Sequence, residues 1–116
     1  MYEYTATIVS MYDGDTLRAD IDLGFGSWIK NQALRIAHID TPELKVPSGG
    51  AALAFAKTVL PVGTKVVIKT YKDKREKYGR WLADIKLPDG SDYAETMIKH
   101  GYAVKYEGGA KEQDNG

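Results

Sequence analysis

Tyr2-Glu3-Tyr4-Thr5-Ala6-Thr7-Ile8-Val9-Ser10-Met11-Tyr12-Asp13-Gly14-Asp15-Thr16-Leu17-Arg18-Ala19-Asp20-Ile21-Asp22-Leu23 decides the fold. Aromatic and β-branched residues crowd its first half, Asp13-Gly14-Asp15 is a turn signal, and Leu17, Ala19, Ile21 and Leu23 then alternate with polar neighbours. A period of two puts one set of side chains on one strand face, so the stretch predicts a hairpin with a buried side. Gly24-Phe25-Gly26-Ser27 supplies the next turn and Trp28 to Ile39 a third strand, giving a three-stranded antiparallel meander.

Further along, Asp40 to Gly50 carries two prolines and two glycines and reads as a loop. Ala52, Phe55, Ala56 and Val59 then recur at helical spacing in a short helix ending near Pro61. Val66 and Ile68 begin a fourth strand, Tyr71 to Gly79 reads as a charged loop, and Trp81 to Leu87 is a fifth strand before the Pro88-Asp89-Gly90 turn. Asp92 with Glu95 three residues on resembles a capping box, and Gly101 suits a left-handed cap, so a second helix closes the sequence. Three strands, a helix, two strands and a helix predict a mainly β (α+β) fold, a five-stranded Greek-key barrel of the OB type.

With 116 residues, 43% hydrophobic and 28% charged, the chain fits one soluble domain, expected over residues 1–107 with a flexible tail at 108–116. No apolar run nears the ~20 residues of a membrane span, and the N-terminal residues lack a secretory pattern, so the expectation is a cytoplasmic monomer without membrane contact. Cysteine is absent, which excludes disulfides and thiolate ligands and leaves oxygen, or His38 and His100, to hold any metal. Formal net charge is zero, yet Lys69, Lys72, Lys74, Arg75, Lys77 and Arg80 crowd one stretch that could steer a polyanion.

Three charged segments carry the chemistry. Asp13 and Asp15 flank a glycine in a turn, a place for a hard cation, although aspartate and glycine also make ordinary turns. Arg35 lies between apolar neighbours and needs an anion: a phosphate, or a salt bridge to Asp40 or Glu43. Thr41, before Pro42, is pushed towards an extended conformation that leaves its carbonyl available. Simple alternation sends Arg35 and Asp40 to opposite faces, so a shared site demands a bend near Ile39. Arg80 follows Tyr78-Gly79, where glycine allows close approach. His38 beside Asp40 could be a base or ligand, but a lone strand histidine is more often solvent-facing or hydrogen-bonded, and His100 reads as complementing a helix dipole. Among the tyrosines, Tyr78 and Tyr106 are the candidates for stacking on bases.

Asp13-Gly14-Asp15-Thr16, Arg35 with Asp40-Thr41-Pro42-Glu43, and Lys77-Tyr78-Gly79-Arg80 together resemble the staphylococcal nuclease (thermonuclease) family, in its order and approximate spacing. The resemblance covers about residues 5–107. It implies an OB-fold enzyme that cleaves single-stranded or unpaired DNA and RNA with Ca2+, leaving 3′-phosphate ends. By motif position it implies Asp15, Asp40 and the Thr41 carbonyl as calcium ligands with Asp13 in the outer shell, and Glu43 as the residue that orients or deprotonates water. It also implies Arg35 and Arg80 as the phosphate grip, and Lys77 and Tyr78 on a neighbouring phosphate, with Tyr106 joining substrate binding. Two features depart from the family: the segment after Glu43 is shorter and less basic, and the chain ends soon after Tyr106. The competing expectations are a catalytically silent OB module binding nucleic acid or protein, and a structural calcium-binding domain, which would not need both arginines.

Overall fold

The structure, a computed structural model, describes residues 2–75 and 79–106, and the side chains of 72–75 lie outside that description. Strands β1 (Tyr2–Asp13), β2 (Thr16–Gly24) and β3 (Ser27–Ile36) form the expected meander, and β5 (Lys65–Arg75) and β6 (Trp81–Lys86) complete a closed barrel in the order β1-β2-β3-β6-β5. All neighbours are antiparallel except β3 and β6, which run parallel from Leu34 opposite Trp81. Inward residues of every strand, Ala6 and Ile8, Leu17, Ala19 and Ile21, Leu34 and Ile36, Val66 and Ile68, Ala83 and Ile85, fill the barrel. Five closed strands with two helices are the OB-type fold expected.

Boundaries differ from the sequence reading in four places. The third strand stops at Ile36 rather than Ile39, because Ala37-His38 turns the chain and only Ile39–Asp40, a two-residue strand β4, resumes pairing. Helix α1 (Pro47–Val59) starts inside the segment read as a loop. Proline fits there, since its fixed φ and missing N–H suit a first helical turn, and Gly49 is required by crowding: a Cβ would lie 1.9 Å from the Glu43 carbonyl oxygen. Strand β5 runs on through Tyr71 to Arg75, where Arg75 faces Trp81 after an irregularity, so that part of the predicted loop is paired backbone. Finally, β7 (Val104–Lys105) pairs with β4, fastening the chain beyond the last helix to the end of the Arg35 turn. The tail expected at 108–116 lies outside the described residues.

Helix α2 (Tyr93–Lys99) follows its predicted signals. Asp92 Oδ2 accepts from Glu95 N at 2.9 Å, and Tyr102 N and Gly101 N donate to the Met97 and Ile98 carbonyls around a left-handed Gly101, φ 82°. The helix buries Tyr93, Ala94 and Met97, while α1 buries Gly49, Ala52 and Ala56. Among the described residues no helix is long and apolar enough to cross a membrane.

Candidate functional site

Hairpin register brings the first two charged segments together. Arg35 on β3 pairs with Thr16 on β2, and Ile36 N donates to the Asp15 carbonyl at 2.9 Å. That places Arg35 Nη1 3.4 Å from Asp15 Oδ2. Beyond Ile36 the chain reverses at Ala37-His38, with His38 at φ 72°, a left-handed conformation that costs a non-glycine residue about 1 kcal/mol or more. This is the bend that alternation demanded. It turns the Ile36 and Ile39 carbonyls onto Arg35 Nη1 at 2.8 and 3.0 Å, and brings Asp40 Oδ1 to 3.5 Å from Nη2. The guanidinium, 12% exposed, is thus fixed by two carbonyls between two carboxylates.

A buried carboxylate is tolerable only with partners. Asp15 has them: Thr41 N donates to Oδ2 at 2.9 Å, Thr16 Oγ1 donates to Oδ1 at 3.1 Å, and Arg35 supplies the countercharge. Gly14 presses against Thr41 so closely that a Cβ would meet Thr41 Cγ2 at 2.8 Å. From the other side the buried Tyr93 hydroxyl donates to the Gly14 carbonyl at 2.6 Å. Burial first, then the nearby Asp15 and Asp13 carboxylates, raises the Tyr93 phenol well above its ordinary value, so it stays a donor. Asp13 accepts from Asp15 N at 3.0 Å, and burial, followed by the hydrogen bond and charge of Asp15, raises its carboxyl to about 6.

Among the described residues no three His, Cys, Asp or Glu side chains form a metal-holding group. The donor chemistry at the turn nevertheless fits a hard divalent cation. Asp13, Asp15, Asp40 and Thr41 offer oxygen only, the crowding of Asp13 on Asp15 is relieved by positive charge, and the buried Thr41 Oγ1 has no hydrogen-bond partner among the described residues. Asp40, with a side chain 48% exposed, keeps room for a ligand.

Other expected residues are placed differently. Glu43 stands in solvent, 73% exposed, with Lys45 Nζ 3.4 Å from Oε1. Its main chain is fixed even so, since Val46 N donates to its carbonyl at 3.1 Å and Gly49 packs against it. Arg80 is half-buried at the start of β6, after Gly79, φ 77°, whose carbonyl accepts from Gln32 Nε2 at 3.0 Å. Lys77 and Tyr78 lie outside the described residues. Tyr106 sets its ring 5.8 Å from the Arg35 guanidinium carbon, and its N–H donates to the His38 carbonyl at 2.8 Å.

Two groups escaped sequence reasoning. Tyr93 carried no signal beyond following a helix cap, and only the strand order brings it under Gly14. The second is a network beside the bend: Tyr71 on β5 donates to Asp84 Oδ2 on β6, and His38 Nε2 lies 3.1 Å from the Tyr71 hydroxyl and 3.9 Å from Asp84 Oδ1. Its members are far apart in sequence.

Comparison with known proteins finds that residues 33–115 match the model of the staphylococcal nuclease homologue family. Over 115 residues the chain is 26% identical to "Endonuclease YhcR" of Bacillus subtilis (strain 168), covering 90% of this chain and 9% of that protein. It is 33% identical over 100 residues to an "Uncharacterized endonuclease" of Escherichia coli O157:H7, and likewise to one of Escherichia coli, covering 86% of this chain and 60% of each relative. The chain therefore spans less than two thirds of the length of these curated relatives.

Proposed function

Since the chain belongs to the staphylococcal nuclease homologue family, we propose that it is a nuclease domain, hydrolysing phosphodiester bonds of single-stranded or unpaired DNA or RNA with calcium and leaving 3′-phosphate ends. The observation that supports this most directly is the Arg35 guanidinium clamped between Asp15 and Asp40. Of its five N–H donors, Nη1 spends both on the Ile36 and Ile39 carbonyls and Nη2 directs one to Asp40. The Nε–H and Nη2–H edge of a guanidinium has the geometry that grips two phosphate oxygens at once.

Asp15, Asp40 and the Thr41 carbonyl would hold calcium, with Asp13 behind them, and the bound ion would supply Lewis-acid polarisation of a phosphoryl oxygen. These residues provide fewer than the six to eight oxygens calcium takes, so water and substrate complete the set. Glu43 accepts the proton of the attacking water, its exposed carboxylate being carried on a backbone that Gly49 fixes. Arg35 and Arg80 then meet the negative charge that grows as water adds to phosphorus and the 5′-oxygen leaves, each such preorganised donor contributing about 2 to 4 kcal/mol. Lys77 and Tyr78 are assigned to a neighbouring phosphate. Tyr106, whose ring rests near Arg35, completes the wall of the substrate site.

The test is digestion of single-stranded DNA and RNA with calcium, with EDTA, and by Glu43→Ser, with the ends of the products identified. Calcium-dependent cleavage to 3′-phosphates, weakened in the variant, is expected. Binding without cleavage would make the domain a silent OB module.

A further inference from the structure

We infer that His38, Tyr71 and Asp84 form a positioning network for Arg35, acting through the Ala37-His38 turn. This rests on the nuclease reading only for its kinetic consequence; the positioning itself stands on geometry. A left-handed turn position is cheapest for glycine, and a histidine there carries backbone strain that surrounding contacts must offset. His38 has such contacts. Because the Tyr71 hydroxyl proton goes to Asp84, the Tyr71 oxygen accepts, so His38 Nε2 is the donor in the 3.1 Å contact. The hydrogen bonds therefore run in one direction, from the His38 ring to Tyr71 and on to Asp84, and the two rings pack edge to face at 5.7 Å.

The turn is gripped from several sides. Ala37 N donates to the Ala83 carbonyl at 2.8 Å, the residue before Asp84, while the His38 carbonyl accepts Tyr106 N at 2.8 Å. Strands β5 and β6 thus hold the side chain of the very residue whose backbone aims the Ile36 and Ile39 carbonyls at Arg35 Nη1. Releasing the ring leaves the guanidinium its carboxylates but loosens the carbonyl pair that orients it, and misplacement near 1 Å can lower a rate on the order of 100-fold.

The experiment compares wild type, His38→Gly, Tyr71→Phe and His38→Gln by three measurements: proton exchange at Arg35 Nε and Nη by NMR, urea midpoints, and kcat and KM on single-stranded DNA with calcium. His38→Gly removes strain and network together, so its urea midpoint should hold or rise while Arg35 side-chain exchange accelerates at least about fivefold. Its kcat should fall about tenfold with KM within about twofold. Tyr71→Phe, which keeps the ring, should show the same exchange change, and His38→Gln, which keeps an N–H donor of similar reach, should restore most of it. Arg35 exchange unchanged in both His38→Gly and Tyr71→Phe would overturn the inference, as would a rate loss that merely follows lost stability. If wild type cleaves nothing, the nuclease reading fails, and the exchange measurement still decides whether the network positions Arg35.

Discussion

Gly49 and Gly50 are neighbours in the first turns of α1, and substituting alanine at each should give opposite results. A Cβ on Gly49 would stand 1.9 Å from the Glu43 carbonyl oxygen, 2.5 Å from its carbon and 2.9 Å from Leu44 Cα. Real Cβ contacts essentially never fall below 3.0 Å, so the helix start and the Glu43 segment must separate by at least about 1.1 Å. All three obstructing atoms are backbone, which has no rotamer to yield, and comparable overpacking costs about 1 to 3 kcal/mol. Alanine in a helix returns about 0.5 to 1 kcal/mol of backbone entropy, leaving Gly49→Ala less stable by up to roughly 2.5 kcal/mol. At Gly50 nothing lies within 4 Å of the same Cβ, so Gly50→Ala should stabilise by about 0.5 to 1 kcal/mol. Urea denaturation measures both, and kcat/KM on single-stranded DNA reports whether the Glu43 segment moved. Activity should drop on the order of 10- to 100-fold in Gly49→Ala and stay near wild type in Gly50→Ala. Equal stabilisation by the two substitutions, with activity intact, would refute the close-packing argument.

Three further outcomes follow from the same geometry. Arg35→Lys keeps a charge but cannot satisfy two carbonyls and two carboxylates in one plane, so kcat should fall on the order of 100- to 1000-fold, and near wild-type kinetics would sink the phosphate-grip assignment. Asp13, raised to about 6 from an ordinary 3.8, contributes stability that is present below pH 3.8 and lost as pH rises through about 6. Without calcium, Asp13→Asn should therefore gain about 1 kcal/mol over wild type at pH 7.5, after discounting for partial exposure, and nothing at pH 3.5; urea midpoints across that range check it. Tyr93→Phe strands the Gly14 carbonyl in a buried setting and should lower stability by about 1 to 3 kcal/mol, read by thermal unfolding.

The charged cluster was legible because its chemistry is local. Asp15, Arg35 and Asp40 each stand out against turn or strand neighbours, and the parity conflict between Arg35 and Asp40 foretold the bend now seen at Ala37-His38. Gly49-Gly50 misled, since low helix propensity reads as loop while the demand for glycine at 49 comes from Glu43, a partner outside the helix. The β4 and β7 pair is too short to show any period, and the lysines around Tyr71 concealed a strand whose partner is β6. His38, Tyr71 and Asp84 come from three separate elements, and nothing local links them.

The parallel seam between β3 and β6 also bears on the chain's synthesis. Asp15 and Arg35 meet through strands adjacent in sequence, β2 and β3. Trp81 and Leu82, which follow Arg80, pair with Leu34 and Arg35 only after helix α1 and strand β5 have been made and β6 has inserted between β3 and β5. Contacts of such long sequence separation form late, because loop closure must precede them. A chain that ended before β6 would thus carry the Asp15–Arg35 pair without the parallel strand that closes the barrel.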